Sequence, residues 1–288
     1  MALRFQPLGA LHAALVRLKY PFCRSISLSR ELCFMGRSKN VRWDAYAAAY
    51  DLMATYNPAY LENMARFSAE IQGWQIAPGD ILLDLGAGTG NYSIVLAKAF
   101  PHAQVWHVDS NPGMNAVAHE KAQEHRLTNL RILQEDVQRL YLAPRSIKAA
   151  VCINALYCMP HPWHLIHRIY QWIQPQGYFY VDDVGRVINL GDWFSFIFKS
   201  LYSRFGLVRS LVLIYKSRQV IAANLRIAKA QQCGEFWTHD LDQLIARFRE
   251  AGFSIQHGFT GYRGYSDGLI CRKPDLERSR ISRSCLEF

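Results

Sequence analysis

The 288-residue chain has no run of about 18 uncharged apolar residues, so its hydropathy gives no transmembrane helix. Its most apolar region, 187–215, is broken by Asp192, Lys199, Arg204 and Arg209. Paired cysteines are missing too. Cys23, Cys33, Cys152, Cys158, Cys233, Cys271 and Cys285 form no C-x-x-C pair and are odd in number. That pattern excludes a cysteine zinc site and fits the reduced thiols of an intracellular protein. Cys152 and Cys271 stand inside apolar runs and are expected in the core. There is no internal repeat and no low-complexity linker.

Acidic residues are scarce only at the two ends. The net charge is +10, yet residues 1–42 hold eight Lys/Arg against one acid, and 272–288 hold five against three. The intervening 43–271 hold twenty against nineteen. A middle so nearly neutral offers no phosphate-binding face, so nucleic acid is not an expected partner. The stretch before Glu31 is rich in Arg and Ser and has no acid. It reads either as a mitochondrial-type transit peptide or as a floppy leader ahead of a domain beginning near Met35. A cytoplasmic location is expected, with a mitochondrial one as the alternative. The segment 274–288 has no apolar pattern and is expected to be disordered.

What is present from residue 80 onward is alternation. "DILLDL", "AQVWHVD", "LRILQED", "AAVCIN" and "QPQGYFYVDD" read as strands. Helical patterns at 91–100, 112–125 and 164–173 lie between them, and Pro112 suits a first helical turn. "SIQHGF" and "SDGLICRK" add two strands after a helix over "THDLDQLIARFREAGF", capped by Thr238 or Asp240 and stopped at Gly252. The expected fold is α/β, a seven-stranded, mostly parallel Rossmann-like sheet with helices on both faces. Between the fifth strand and the next helix lies an inserted helical element, 186–234, where Phe194, Phe198, Leu201, Phe205 and Val208 recur at helical spacing. Its aromatic residues suit a lid over an apolar ligand or the packing of an extra helix pair. Its basic residues also suit a membrane-surface face.

The loop "LLDLGAGTGN" follows the first strand. Gly86, Ala87, Gly88 and Gly90 leave backbone bare where a ligand comes close to a strand-to-helix turn. The dinucleotide pattern G-x-G-x-x-G does not fit, because Asn91 stands where it wants Gly or Ala. Asp84 opposes a pyrophosphate and favours a ligand with positive charge beside the glycines. Asp109 ends the second strand, where an acid can take ribose hydroxyls.

These residues resemble the first motif of the Rossmann-like, class I S-adenosylmethionine-dependent methyltransferases. "VWHVDSNPGMNAVAHEKA" resembles their second motif and "LRILQEDVQRL" their third. The stretch from Val151 to Val184 resembles their fourth strand, helix and turn, here Gln174-Pro175-Gln176-Gly177. "WDAYAAAYDLM" is similar to the first helix of small-molecule members. The resemblance covers about 43–272. It implies a 43–273 methyltransferase domain that binds S-adenosylmethionine through Asp84, Gly86, Ala87, Gly88, Gly90, Asp109, Ser110, Asp136, Val137 and Asn154. Asp109 would hold the ribose and Asp136 the adenine amino group.

Methyl transfer needs alignment and desolvation, and a base only when the acceptor must lose a proton. Tyr157, His161 and His164 follow the fourth strand, with Tyr157 and His161 the candidate catalytic groups. Asp182 and Asp183 either orient a substrate or cap a loop. Asn154-Ala155-Leu156-Tyr157 matches N-P-P-Y only without its prolines, which argues against a base-modifying role. The expected activity is methylation of a hydrophobic or aromatic small molecule, at oxygen, nitrogen or carbon. The alternatives are a nicotinamide oxidoreductase on a related fold and a silent cofactor-binding subunit. No metal is expected, and oligomeric state is left open.

Overall fold

A computed structural model describes residues 43–275, so the basic leader and nearly all of the C-terminal tail lie outside it. The short apolar runs pair into a seven-stranded sheet of order β3-β2-β1-β4-β5-β7-β6. The strands are β1 (Ile81–Leu85), β2 (Gln104–Asp109), β3 (Leu130–Gln134), β4 (Ile147–Ile153), β5 (Ile173–Val184), β6 (Ser254–Gly261) and β7 (Ser266–Arg272). All neighbours are parallel except the pairs of β7 with β5 and β6. Seven strands were expected, at these places.

The central strands are apolar in both alternating sets because both faces of the sheet are covered. Leu83, Leu85, Cys152, Phe179 and Cys271 face one core, with α5 (Pro162–Trp172) and α8 (Leu241–Glu250). Leu82, Val105, Val151 and Tyr180 face the other, with α2 (Pro58–Ile71) and α3 (Asn91–Ala99). Strand order reverses between β1 and β4, so a crevice opens beyond their carboxyl ends, where open α/β sheets bind ligands.

Two helices flank that crevice. In α2, Asn57 caps the Ala59 N–H at 3.1 Å, Pro58 occupies the first position, and Tyr60, Phe67 and Ile71 are buried. In α1 (Trp43–Tyr56), Tyr46 and Tyr50 meet edge to face with centroids 5.1 Å apart. α4 (Pro112–Glu124) starts with Asn111 capping the Met114 N–H at 2.9 Å. α8 has Asp240 as its cap, with Gln243 completing a capping box, and Gly252 follows at φ 104°.

The inserted element is a helix pair, α6 (Leu190–Lys216) and α7 (Arg218–Gln232). The expected stripe from Phe194 to Val208 does not form one buried face. Leu201 is buried, while Phe194 and Val208 are exposed. Gly206, at φ 72° and ψ 179°, kinks α6 and shifts its phase between Leu201 and Val208. Beyond the kink, Ser210 and Leu213 turn inward instead.

The two ends of this insertion are joined. The His239 N–H donates to the Gly185 carbonyl at 2.8 Å, and a Cβ on Gly185 would lie 2.4 Å from the His239 carbonyl oxygen. His239 is sealed between Asp183 at 3.7 Å and Asp267 at 3.5 Å, and Arg186 reaches Asp267 at 3.0 Å. Burial alone would lower the His239 pKa, but Asp183 and Asp267 raise it to about 9, so the ring is held as a cation.

Candidate functional site

A cavity of about 590 Å³ occupies the crevice, a size that suits a small-molecule site. The glycine loop makes its floor. Gly86 and Ala87 donate to the Val108 carbonyl at 2.9 and 3.1 Å, which ties the turn to the end of β2. Gly88 donates to Asp109 Oδ2 at 2.9 Å, and Asn111 donates to Asp109 Oδ1 at 2.8 Å. Asp109 thus fixes the loop beside it while lining the cavity.

Of the sequence-expected cofactor residues, Asp84, Gly86, Ala87, Gly88, Asp109, Ser110, Asp136, Val137 and Asn154 all line this cavity. Gly90 is not among the lining residues. It starts α3 at φ 79°, and a Cβ there would meet Ala118 Cβ at 3.1 Å, so its bareness serves helix packing. Tyr157 is a buried wall residue set edge-on to Phe236 at 5.5 Å. Burial pushes its hydroxyl pKa well up, so it is a poor source of phenolate. His161 is also not among the lining residues. Its φ of 50° at the start of α5 leaves its exposed ring stacked on His164 at 5.9 Å. It is therefore badly placed to act as a base.

Asp182 and Asp183 are buried and are not among the lining residues. Asp182 accepts from Asn63 Nδ2 at 2.7 Å, which ties α2 to β5. Both acids therefore brace the scaffold. Among the described residues, no cluster of His, Cys, Asp and Glu is arranged to hold a metal.

Asp84 heads a buried polar chain. Burial pushes its carboxyl up to about 7, against the lowering effect of its bond to Ser93. Ser93 Oγ stands 2.5 Å from Asp84 Oδ2 and 3.0 Å from His107 Nδ1. His107 Nε2 faces Asn115 Oδ1 at 3.1 Å, and Asn115 Nδ2 donates to the Asp109 carbonyl at 3.0 Å. Burial drops the His107 pKa to about 4, so the ring is neutral. Its one proton goes to Asn115, and its Nδ1 then accepts from Ser93. The Asp84–Ser93 contact in that arrangement needs a proton on Asp84. When Asp84 ionises, Ser93 turns to donate to it instead.

Sequence reasoning missed how α1 is held over the glycine loop. Lys121 of α4 donates to Asp51 Oδ2 of α1 at 3.1 Å, to the Thr89 carbonyl at 2.9 Å and to Asn91 Oδ1. Thr89 Oγ1 donates to Asp51 Oδ1 at 2.7 Å, and Asn91 Nδ2 bonds both Asp51 and Tyr60 at 3.1 Å. Asn91, the residue that spoils the dinucleotide pattern, is thus part of a clasp. Lys121→Met is expected to free α1, with its cavity-lining Tyr46 and Tyr50, and weaken ligand binding about tenfold, near ~1–2 kcal/mol. Titration of the variant beside wild type checks it; unchanged affinity would make the clasp irrelevant to the site.

The upper wall comes from the insertion. Trp193, Ile197, Leu201, Leu213 and Val220 line it, and Tyr262 closes one side. Asn154, in the left-handed region at φ 51°, donates through Nδ2 to the Tyr262 hydroxyl at 3.1 Å. Its buried Oδ1 has no partner in the protein.

Comparison with known proteins gives the same picture. A methyltransferase-domain family model matches residues 82–177. The chain is 24% identical over 193 residues to (S)-coclaurine N-methyltransferase of Papaver somniferum, covering 63% of this chain and 54% of that one. It is 35% identical over 96 residues to trans-aconitate 2-methyltransferase of Deinococcus radiodurans, covering 33% and 34%. The chain thus spans about half or less of the length of these relatives. Magnesium protoporphyrin IX methyltransferase from Synechocystis PCC 6803, solved with bound SAH, is similar in fold. It has a TM-score of 0.55 and 17% identity, covering 80% of this chain and 93% of that one.

Proposed function

We propose that the chain is a Rossmann-like, class I S-adenosylmethionine-dependent methyltransferase and that it methylates a hydrophobic or aromatic small molecule at an oxygen, nitrogen or carbon, a reading that the family model over residues 82–177 and the methyltransferase relatives support. The observation that carries this reading is the charge of the cavity. Its charged lining residues are Asp84, Asp109 and Asp136; no Lys, Arg or His lines it among the described residues. Such a site repels a pyrophosphate and suits a ligand with positive charge beside the loop. The poppy relative's name gives a small molecule, coclaurine, as its acceptor, which supports the substrate class.

When bound, S-adenosylmethionine supplies a methyl group already activated by a sulfonium. The residues present fit it. Gly86 and Gly88 at φ 65° and 57° leave a bare floor, Asp109 offers carboxylate oxygens to a diol, and Asp136 and Val137 border the same cavity. Asp84 supplies the counter-charge. The aromatic and aliphatic residues of α1, α6 and α7 exclude water and align the acceptor. With no histidine in the lining, an acceptor that needs little help in losing its proton suits the site best.

Calorimetric titration with S-adenosylhomocysteine (SAH), beside NAD, tests this. SAH is expected to bind and NAD not; the reverse would leave only the fold. A pH series adds a sign. A cationic ligand favours ionised Asp84, so S-adenosylmethionine affinity is expected to rise from about pH 6 to about pH 8, through the raised Asp84 pKa of about 7. A profile that falls over the same window, or one equally steep in Asp84→Asn, would remove Asp84 from that role.

A further inference from the structure

The outward side of α6 and α7 is built unlike the rest of the surface. Among the described residues, nine of the eleven exposed large hydrophobic side chains fall between Phe194 and Leu225. Val208 is 78% exposed and Tyr215 68%. Leu207, Val208, Leu211, Val212 and Tyr215 recur at the spacing of one helix face, while Ser210 and Leu213 on the other side are buried. Scattered exposed apolar residues need no partner, but a continuous strip of them marks a contact surface.

Charge says what kind of contact. Residues 190–233 carry seven Lys/Arg and a single acid, Asp192. That acid is already engaged by Arg263 at 2.7 Å. Arg204 and Arg209 lie against the Phe205 ring at 5.1 and 4.7 Å, and Arg218 over Tyr215 at 4.6 Å. Their stems follow the apolar strip and their charges stand at its rim, an arrangement that complements negative headgroups above an acyl layer. A second copy of the chain would bring these cations against their own kind. No helix among the described residues is long and apolar enough to cross a membrane.

We propose that this face of α6 and α7 docks on an anionic lipid bilayer. The outward side also reaches the cavity, since Phe194 of α6 and Ile221 of α7 are both exposed and both line it. An acceptor dissolved in the bilayer would meet these two side chains at the mouth of the site. The use of the surface rests on the methyltransferase reading; its existence does not.

Flotation of the full chain with phosphatidylcholine vesicles, with and without phosphatidylglycerol, tests the proposal. Binding is expected only with the anionic lipid and is expected to fade with salt. Val208→Asp/Leu211→Asp and Arg204→Gln/Arg209→Gln are each expected to lower it about tenfold or more, with thermal midpoint and SAH binding unchanged. None of these four residues lines the cavity. Absence of flotation on anionic vesicles, or equal flotation of the variants, overturns the proposal. So does a solution dimer that Val208→Asp/Leu211→Asp turns into a monomer, which would give the face to a second copy. SAH binding without flotation removes the docking surface alone, and flotation without SAH binding removes the methyltransferase reading alone.

Discussion

Replacing Asp109 with alanine is expected to weaken SAH binding about a hundredfold or more and to leave the fold standing. Asp109 takes the Gly88 and Asn111 N–H groups at 2.9 and 2.8 Å and lines the cavity with what remains of its carboxylate. Burial raises its pKa against these two bonds, so its environment makes a poorly solvated carboxylate that gains from further donors. A hydrogen bond to a charged group contributes about 1.5–3 kcal/mol, and each ~1.4 kcal/mol is tenfold in affinity. Two ribose hydroxyls on one carboxylate therefore account for about a hundredfold, and release of Gly88 adds to it. Asp136→Ala is the useful comparison. Asp136 is exposed and its Oδ1 already accepts the Gln138 N–H at 2.8 Å, so its loss is expected to cost about tenfold or less. Equal binding by wild type and Asp109→Ala would dismiss Asp109 as a ribose ligand.

Gly86→Ala is expected to cost both stability and binding. At φ 65° an alanine meets the left-handed penalty of about 1–2 kcal/mol. Its Cβ would also stand 2.5 Å from Ala155 Cβ and 3.0 Å from Met159 Cε. Met159 can move at its tip, but Ala155 Cβ is fixed to the backbone after β4. Something in the floor must shift, and overpacking adds about 1–3 kcal/mol. A fall of about 2–5 kcal/mol in unfolding free energy follows, read by chemical denaturation, with SAH binding lost in the folded fraction. Gly88→Ala separates the two effects. Its Cβ would meet nothing nearer than Met114 Sδ at 3.9 Å, so it should fold with a smaller loss while its methyl group fills the cradle. If Gly86→Ala proves as stable as wild type, the loop is softer than its geometry requires.

The central strands were readable because they are apolar runs buried on both faces between turn residues, and the half-exposed edge strands β3 and β6 because turn residues bound them; both signals are local. The loop was readable for the same reason. α2 carried a readable start as well, an Asn57 cap followed by Pro58, with Tyr60, Phe67 and Ile71 buried at helical spacing. The orientation of His161 was not readable. One backbone angle turns its ring outward, and nothing in Met159-Pro160-His161-Pro162 fixes that angle in advance. The stripe expected through α6 does not continue past residue 206, where a single glycine resets the helical phase. The clasp of Asp51, Thr89, Asn91 and Lys121 was out of reach for another reason. Its members lie up to 70 residues apart, and only the closed sheet brings them together.

The bond between Gly185 and His239 makes everything from residue 186 to residue 238 a detour that leaves and rejoins the sheet at one point. The glycine loop and Asp109 lie on other strands, so the detour can change in length and content without moving them. On the proposed function, the cofactor loop and the helical wall facing the acceptor therefore belong to separable pieces of the chain. On that reading, a homologous helical segment grafted between these two anchors is expected to change acceptor preference while leaving SAH affinity as it was.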